Sequence, residues 1–74
     1  MQAVTISLTQ VSQVQDFVNL VSQFPFDVDM VSGRYTVNAK SMLGIYSLDL
    51  SKPIQVLIYS DDCKELKEAL KAFE

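Results

Sequence analysis

The chain has 74 residues, of which 49% are hydrophobic, with one cysteine and no histidine. Its formal net charge of −3 is the wrong sign for a surface that binds nucleic acid or an anionic membrane. Without imidazole, the chain has no histidine general base, no histidine metal ligand and no phosphohistidine. The lone Cys63 excludes an intrachain disulfide and a thiolate metal cage, and it favours a reducing, intracellular setting.

The sequence predicts neither export nor membrane insertion. The segment from Met1 to Ser7 has no basic region followed by an apolar run, so it does not resemble a signal peptide. No apolar run approaches the roughly 18 residues that a transmembrane helix needs. We therefore expect one domain over residues 1–74 in the cytoplasm, with no cofactor, no metal centre and no enzymatic activity.

The first predicted strand begins the chain. Val4, Ile6 and Leu8 alternate with polar residues, which is the period of a strand with one buried face. Ser12 is followed three residues later by Gln15, the spacing of a capping box at the start of a helix.

The helix that follows is predicted from apolar residues at intervals of three and four. Pro25 cannot continue it, so the helix should end near Gln23 or Phe24. The apolar residues of this helix are Val14, Phe17, Val18, Leu20 and Val21.

Two alternating runs come next, one from Phe26 to Met30 and one around Tyr35 and Val37. Because the short connection Ser32-Gly33 separates them, they predict a β-hairpin. The stretch from Asn38 to Leu50 favours a brief helix, weakened by about 1 kcal/mol where Gly44 replaces a better helix former.

The last two elements are the clearest. Pro53 precedes the apolar run from Ile54 to Tyr59, which predicts a central strand. Asp61 and Asp62 then suggest capping of a final helix. Four residues of that helix form one apolar stripe, namely Cys63, Leu66, Leu70 and Phe73.

These elements give the order β-α-β-β-α-β-α and an α+β fold. Four strands should form a largely antiparallel sheet with three helices on one face. The other face, which carries residues such as Thr5, Ser7, Asp27 and Asp29, should stay in contact with water.

The segment Val37–Leu48, VNAKSMLGIYSL, resembles the most distinctive segment of HPr, the phosphocarrier protein of the bacterial sugar phosphotransferase system. The resemblance implies an open-faced β-sandwich and partners among phosphotransferase-system proteins or a regulatory kinase. The family also carries a histidine after its first strand that accepts phosphate from Enzyme I. The corresponding stretch here, Leu8–Val14, has no histidine, arginine or proline, so we expect carrier activity to be absent.

Ser41 matches the serine that a dedicated kinase phosphorylates in the family, and Lys40 beside it would lie near the phosphate. The resemblance therefore implies a regulatory phosphorylation site at Ser41. An ordinary helix N-cap, worth about 1 kcal/mol, explains the same serine. The two interpretations are compatible.

Met42, Leu43 and Tyr46 match the apolar residues with which the family docks its partners. For Leu43, as for Ile45, a position in the core is the favoured interpretation. For Met42 and Tyr46 we expect partial exposure, and an interaction surface fails if both are fully buried.

Three functions remain open. The first is an HPr-like binding or regulatory module without phosphoryl transfer. The second is a phosphotransfer component with another acceptor, such as Ser12. The third is a small structural domain, one form of which is a dimer through an edge strand. The sequence leaves the oligomeric state open.

Overall fold

The computed structural model describes residues 1–74 and contains the predicted elements in the predicted order. The strands are β1 (Gln2–Ile6), β2 (Val28–Ser32), β3 (Tyr35–Asn38) and β4 (Ile54–Ile58). The helices are α1 (Val11–Val21), α2 (Met42–Tyr46) and α3 (Lys64–Leu70), with a 3-10 turn at Lys71–Phe73. None of these helices is long and apolar enough to cross a membrane.

The sheet has the strand order β1-β4-β2-β3, and every neighbouring pair is antiparallel. β4 is central, as its apolar sequence predicts. Val56 lies opposite Val4 of β1 on one side and opposite Met30 of β2 on the other. Because β4 joins β1 to the hairpin of β2 and β3, the two parts of the sheet depend on it.

One face of the sheet is covered by the helices and the other is open. Ile54, Val56 and Ile58 of β4 are buried, whereas Gln55 between them is exposed. All buried side chains are apolar or, at Cys63, a thiol, and no buried polar side chain is present. Thr5 on the open face is exposed and Asp29 is half-buried. This confirms the predicted α+β architecture.

The hairpin between β2 and β3 turns one residue later than predicted. Ser32 is still paired with Tyr35, so the two-residue loop is Gly33-Arg34. Gly33 has a φ of +59°, and no residue other than glycine has a positive φ. A positive φ at the first loop position alone is the pattern of a type II′ turn, which matches the twist of a hairpin.

The ends of two helices differ from the predictions. α1 ends at Val21, and a short turn continues to Phe24, whose N–H donates to the Val21 carbonyl at 3.2 Å. The predicted capping of α3 by Asp61 and Asp62 is wrong. Cys63 holds the N-cap position without a side-chain hydrogen bond, and Asp61 pairs with the N-terminal ammonium of Met1 at 3.3 Å.

The predicted apolar stripe of α3 is confirmed. Cys63, Leu66 and Leu70 are buried, and Phe73 is half-buried. The ring of Phe73 packs edge-on against the buried Phe17 of α1, with ring centroids 5.8 Å apart. The first and last helices therefore share one core.

Replacement of Gly33 by alanine should destabilise the protein by about 1–2 kcal/mol, because an L side chain is strained at this φ. Space is not the reason, since a Cβ at Gly33 meets no atom within 4 Å. Urea denaturation followed by circular dichroism measures the effect. Arg34→Ala, at the neighbouring loop position, is the matched control and should change stability by less than about 0.5 kcal/mol.

Candidate docking site

The short helix α2 begins at a serine cap, as expected. The Ser41 side chain is exposed, and its Oγ accepts a hydrogen bond from the N–H of Gly44 at 3.2 Å. The Ser41 carbonyl also accepts from the N–H of Ile45 at 3.1 Å. The hydroxyl and the carbonyl of Ser41 therefore each accept a backbone N–H of α2. This is the N-cap role predicted from the sequence.

Gly44 allows α2 to lie close to its neighbours. A Cβ at this position would stand 3.2 Å from Cβ of Val37 in β3 and 3.4 Å from Oγ of Ser41. The glycine costs helix propensity, but it lets the helix backbone approach β3. This contact orients α2 on the sheet and thereby sets the direction of its remaining side chains.

The side chains of α2 divide into one buried anchor and a solvent-facing group. Ile45 is fully buried, as expected. Met42 is half-buried and Tyr46 is 42% exposed, which meets the condition set for an interaction surface. Leu43 is 84% exposed, so the expectation of a core position is wrong. Leu43 lies about 160° around the helix from Ile45, and with Ile45 in the core it faces the solvent.

An apolar groove extends this surface towards the start of α1. The groove has a volume of about 420 Å³, and its walls are the segment Leu8–Val11 together with Tyr46, Leu50 and Ser51. Val11, the first residue of α1, is 64% exposed. Sequence reasoning missed Val11 and Leu50, since no pattern in the chain predicts that these two loops meet. We call Val11, Met42, Leu43, Tyr46 and Leu50 the docking face.

A glutamine side chain caps the start of α1. Oε1 of Gln13 accepts hydrogen bonds from the N–H of Thr9 at 2.7 Å, from Oγ1 of Thr9 at 3.0 Å and from the N–H of Gln10 at 3.1 Å. The predicted capping pair of Ser12 and Gln15 is therefore wrong, because the helix begins earlier. The N–H groups that precede this helix therefore donate to the neutral side-chain amide of Gln13.

Lys40 has a structural partner. Its Nζ donates to the backbone carbonyl of Phe24 at 2.8 Å in a partly buried position. Its backbone N–H donates to Oδ1 of Asn38 at 2.8 Å. Lys40 is thus the neighbour of Ser41 in the chain, but its ammonium ties the end of α1 to the start of α2.

The acidic residues named by the sequence analysis lie elsewhere. Asp27, Asp29, Asn38 and Tyr59 line a shallow cleft at one end of the sheet. The neighbouring Asp29 side chain raises the pKa of Tyr59. No group of three or more histidine, cysteine, aspartate or glutamate residues is arranged to hold a metal ion.

Beyond the end of α2, Asp49 forms a local turn with Ser51. The hydroxyl and the N–H of Ser51 both donate to the Asp49 carboxylate, and these hydrogen bonds lower its pKa. The buried Cys63 is also remote from the docking face, since it belongs to the stripe of α3.

Comparison with known proteins agrees with the resemblance seen in the sequence. The family model described as the PTS HPr component phosphorylation site matches residues 10–74. The chain belongs to the HPr family. No curated protein sequence matches it.

Two solved HPr structures share the fold. HPr-C-His from Thermoanaerobacter tengcongensis superimposes with a TM-score of 0.82 at 29% identity, over 97% of this chain and 89% of that one. The phosphocarrier protein HPr from Bacillus anthracis str. Ames gives a TM-score of 0.72 at 32% identity, over 96% of this chain and 90% of that one. The predicted open-faced β-sandwich of the HPr family is thereby confirmed.

Because the chain belongs to the HPr family, its lack of histidine bears on its chemistry. The family is one of phosphocarriers of the phosphotransferase system, yet this chain contains no histidine. The structure keeps Ser41 exposed and brings Met42, Leu43 and Tyr46 to one surface. The roles of these residues in phosphorylation and docking stay predictions.

Replacement of Gln13 by alanine should destabilise the protein by about 1 kcal/mol, because it removes the acceptor for the groups that precede α1. Equilibrium urea denaturation checks this value. Gln15→Ala, an exposed glutamine of the same helix without a side-chain hydrogen bond, is the matched control. Equal effects of the two substitutions would contradict the capping role of Gln13.

Proposed function

We propose that this HPr-family protein does not carry phosphate on histidine and acts in the cytoplasm as a protein-binding, regulatory module. The observation that carries the proposal is the complete absence of histidine from the chain. Phosphate carried on histidine needs an imidazole nitrogen as its nucleophile. Amides such as Gln10 and Gln13 cannot take that role.

The start of α1 supports the same conclusion. A phosphate held near a helix N-terminus is stabilised by free backbone N–H groups and nearby cations. Here Oε1 of Gln13 accepts from the N–H groups of Thr9 and Gln10, which precede the helix. No lysine or arginine lies between Met1 and Gly33 to help. The segment that begins α1 therefore offers no cation of its own to an added phosphate.

The docking face supports a binding role. Large apolar side chains scattered singly on a surface are ordinary, whereas adjoining ones mark interaction sites. Leu43 and Tyr46 are three residues apart on α2, and Tyr46 and Val11 line the same groove. Since Tyr46 belongs to both pairs, the exposed apolar surface is continuous from α2 to the start of α1.

Ser41 is the proposed switch of this module. Its hydroxyl is exposed at the edge of the docking face, two residues before Leu43. A phosphate there would add a charge of about −2 and three acceptor oxygens beside an apolar surface. Such a change alters which partner that surface can bind.

With Enzyme I and labelled phosphoenolpyruvate, we expect no labelling of the chain. The HPr of Bacillus anthracis serves as the positive control under the same conditions. A stoichiometric label would contradict the proposal. If that label disappeared in Ser12→Ala, the alternative of a phosphotransfer component with a serine acceptor would replace it.

With the regulatory kinase of the phosphotransferase system and ATP, we expect one phosphate on the chain. Mass spectrometry should find it at Ser41 and find none in Ser41→Ala. Ser47→Ala, which removes an exposed hydroxyl from the other end of α2, is the matched control and should be labelled normally. The same labelling of the chain and of Ser41→Ala would remove the proposed switch.

A further inference from the structure

The two edge strands of the sheet, β1 and β3, differ in what covers them. The C-terminal turn reaches the end of β1, where the Phe73 carbonyl accepts from the N–H of Ser7 at 2.8 Å. The side chain of Lys67 in α3 also donates to Gln2 of β1, at 3.3 Å. In β3, by contrast, Thr36 is exposed, and no hydrogen bond from a loop, a cap or a side chain reaches it. β3 is therefore the open edge of the sheet.

The outward-facing backbone groups of β3 follow from its register. The N–H of Ala39 donates to the Val28 carbonyl at 2.8 Å, and in an antiparallel ladder every second residue pairs with the same neighbour. Thr36 and Asn38 therefore direct their N–H and C=O groups away from β2. The Asn38 carbonyl accepts from the N–H of Ser41 at 3.0 Å. Both backbone groups of Thr36 and the N–H of Asn38 are left for another strand.

The sequence of β3 does little to protect this edge. Natural edge strands are guarded by charged side chains, by proline or by a bulge. The four residues Tyr35–Asn38 contain no charge and no proline, and their register with β2 is unbroken. Shortness is the one protective feature of β3, and it limits how tightly another strand can pair here.

We propose that two copies of the chain associate through β3, antiparallel and centred on Thr36, so that the two four-stranded sheets become one. A two-fold axis at this position makes the contact self-complementary. Thr36 then lies opposite Thr36 of the second copy, Tyr35 opposite Val37, and Arg34 opposite Asn38. Residues directly opposite each other share one face of the sheet, so the helices of both copies lie on the same side. The inference does not depend on the docking and phosphorylation roles proposed above.

The side chains of β3 suit this pairing. Tyr35 is 70% exposed, and Val37 is half-buried although α2 packs against β3. Aromatic residues opposite β-branched ones, and threonine opposite threonine, are favourable cross-strand pairs. The dimer contains two pairs of Tyr35 with Val37 and one pair of Thr36 with Thr36. The most exposed tyrosine of the chain thereby gains an apolar neighbour.

The end of β3 at the hairpin turn is positively charged. Arg34 lines a cleft there together with Lys52 and Asp49. The Asp49 carboxylate accepts from the N–H of Ser51 at 3.1 Å, and neither ion pair of the chain involves the two cations. With two cations against one carboxylate, this end has a positive charge left for a second copy.

The other end of β3 is negatively charged. Asn38 lines a cleft with Asp27 and Asp29, and Asp29 is paired directly with Asn38. Lys40 follows the strand at this end, but its ammonium donates to the Phe24 carbonyl at 2.8 Å, and the two carboxylates outnumber it. Antiparallel pairing brings the positive end of each copy to the negative end of the other. This charge complementarity favours a second copy as the occupant of the edge.

Self-association is measured by sedimentation equilibrium and by amide chemical shifts over a series of protein concentrations. We expect a dimer with a dissociation constant of about 100 µM, because a four-residue strand buries a small area. The amides of Arg34, Thr36 and Asn38 should shift with concentration, and that of Ala3 on the other edge should not. A chain that stays monomeric about tenfold above this concentration overturns the proposal. Shifts of Ala3 together with Thr36 would indicate pairing of β1 with β3 and also overturn it.

Backbone pairing is tested at Thr36. Thr36→Pro removes an N–H that points away from β2, so it leaves the ladder intact and is tolerated at an edge. It should weaken dimerisation at least about tenfold. Thr36→Val keeps the N–H and the shape of the side chain, and it should change the affinity less than about twofold. Equal affinities of the two variants, with circular dichroism showing that both are folded, would contradict the pairing.

A charge exchange tests the orientation, even if Thr36→Pro does not fold. In the dimer, Arg34 of one copy lies two strands from Asp29 of the other, about 10 Å between Cα atoms, which the two side chains span. Arg34→Glu and Asp29→Lys each bring like charges together, and each alone should dimerise about tenfold more weakly than the unmodified chain. In an equimolar mixture both ends are complementary again, and the affinity should return to that of the unmodified chain. A mixture that associates no more tightly than either variant alone would overturn the proposal.

Discussion

The structure depends on the burial of one face of β4. This strand pairs on both sides, and Ile54, Val56 and Ile58 carry the helices on the same face of the sheet. Full burial of each such side chain contributes about 1.5–3 kcal/mol, which is large for a domain of this size. Since α2 packs against α1 and β3, the start of α1 and the exposed side of α2 form one surface.

The docking face is a consequence of how little of α2 is buried. A helix of five residues is unstable alone, so the cap at Ser41, the close approach at Gly44 and the burial of Ile45 must hold it. One buried anchor leaves the other side chains free. Leu43 and Tyr46 are exposed because the contacts that hold this very short helix do not involve the side of α2 on which they lie.

Most of the fold could be predicted from the sequence, because strand and helix periods are local. The alternation in β1, the apolar run of β4 and the stripe of α3 each specify an element and its buried face. The site was harder to predict because it depends on contacts between distant segments. No local pattern reveals that Nζ of Lys40 reaches the carbonyl of Phe24, or that Val11 adjoins Tyr46. The cap by Gln13 was missed because glutamine is not a common capping residue, and Ser12 offered a more familiar pattern.

Phosphoryl transfer and docking make different demands on the same scaffold. A phosphoacceptor depends on one residue type at one position, and this chain has no histidine to provide it. A docking surface depends on an arrangement of helices, which the buried face of β4 and the anchor Ile45 maintain whatever residue begins α1. The loss of an acceptor therefore removes no contact that holds Leu43 and Tyr46 in place. An HPr scaffold can for this reason keep the exposed apolar surface of α1 and α2 without a histidine to accept phosphate.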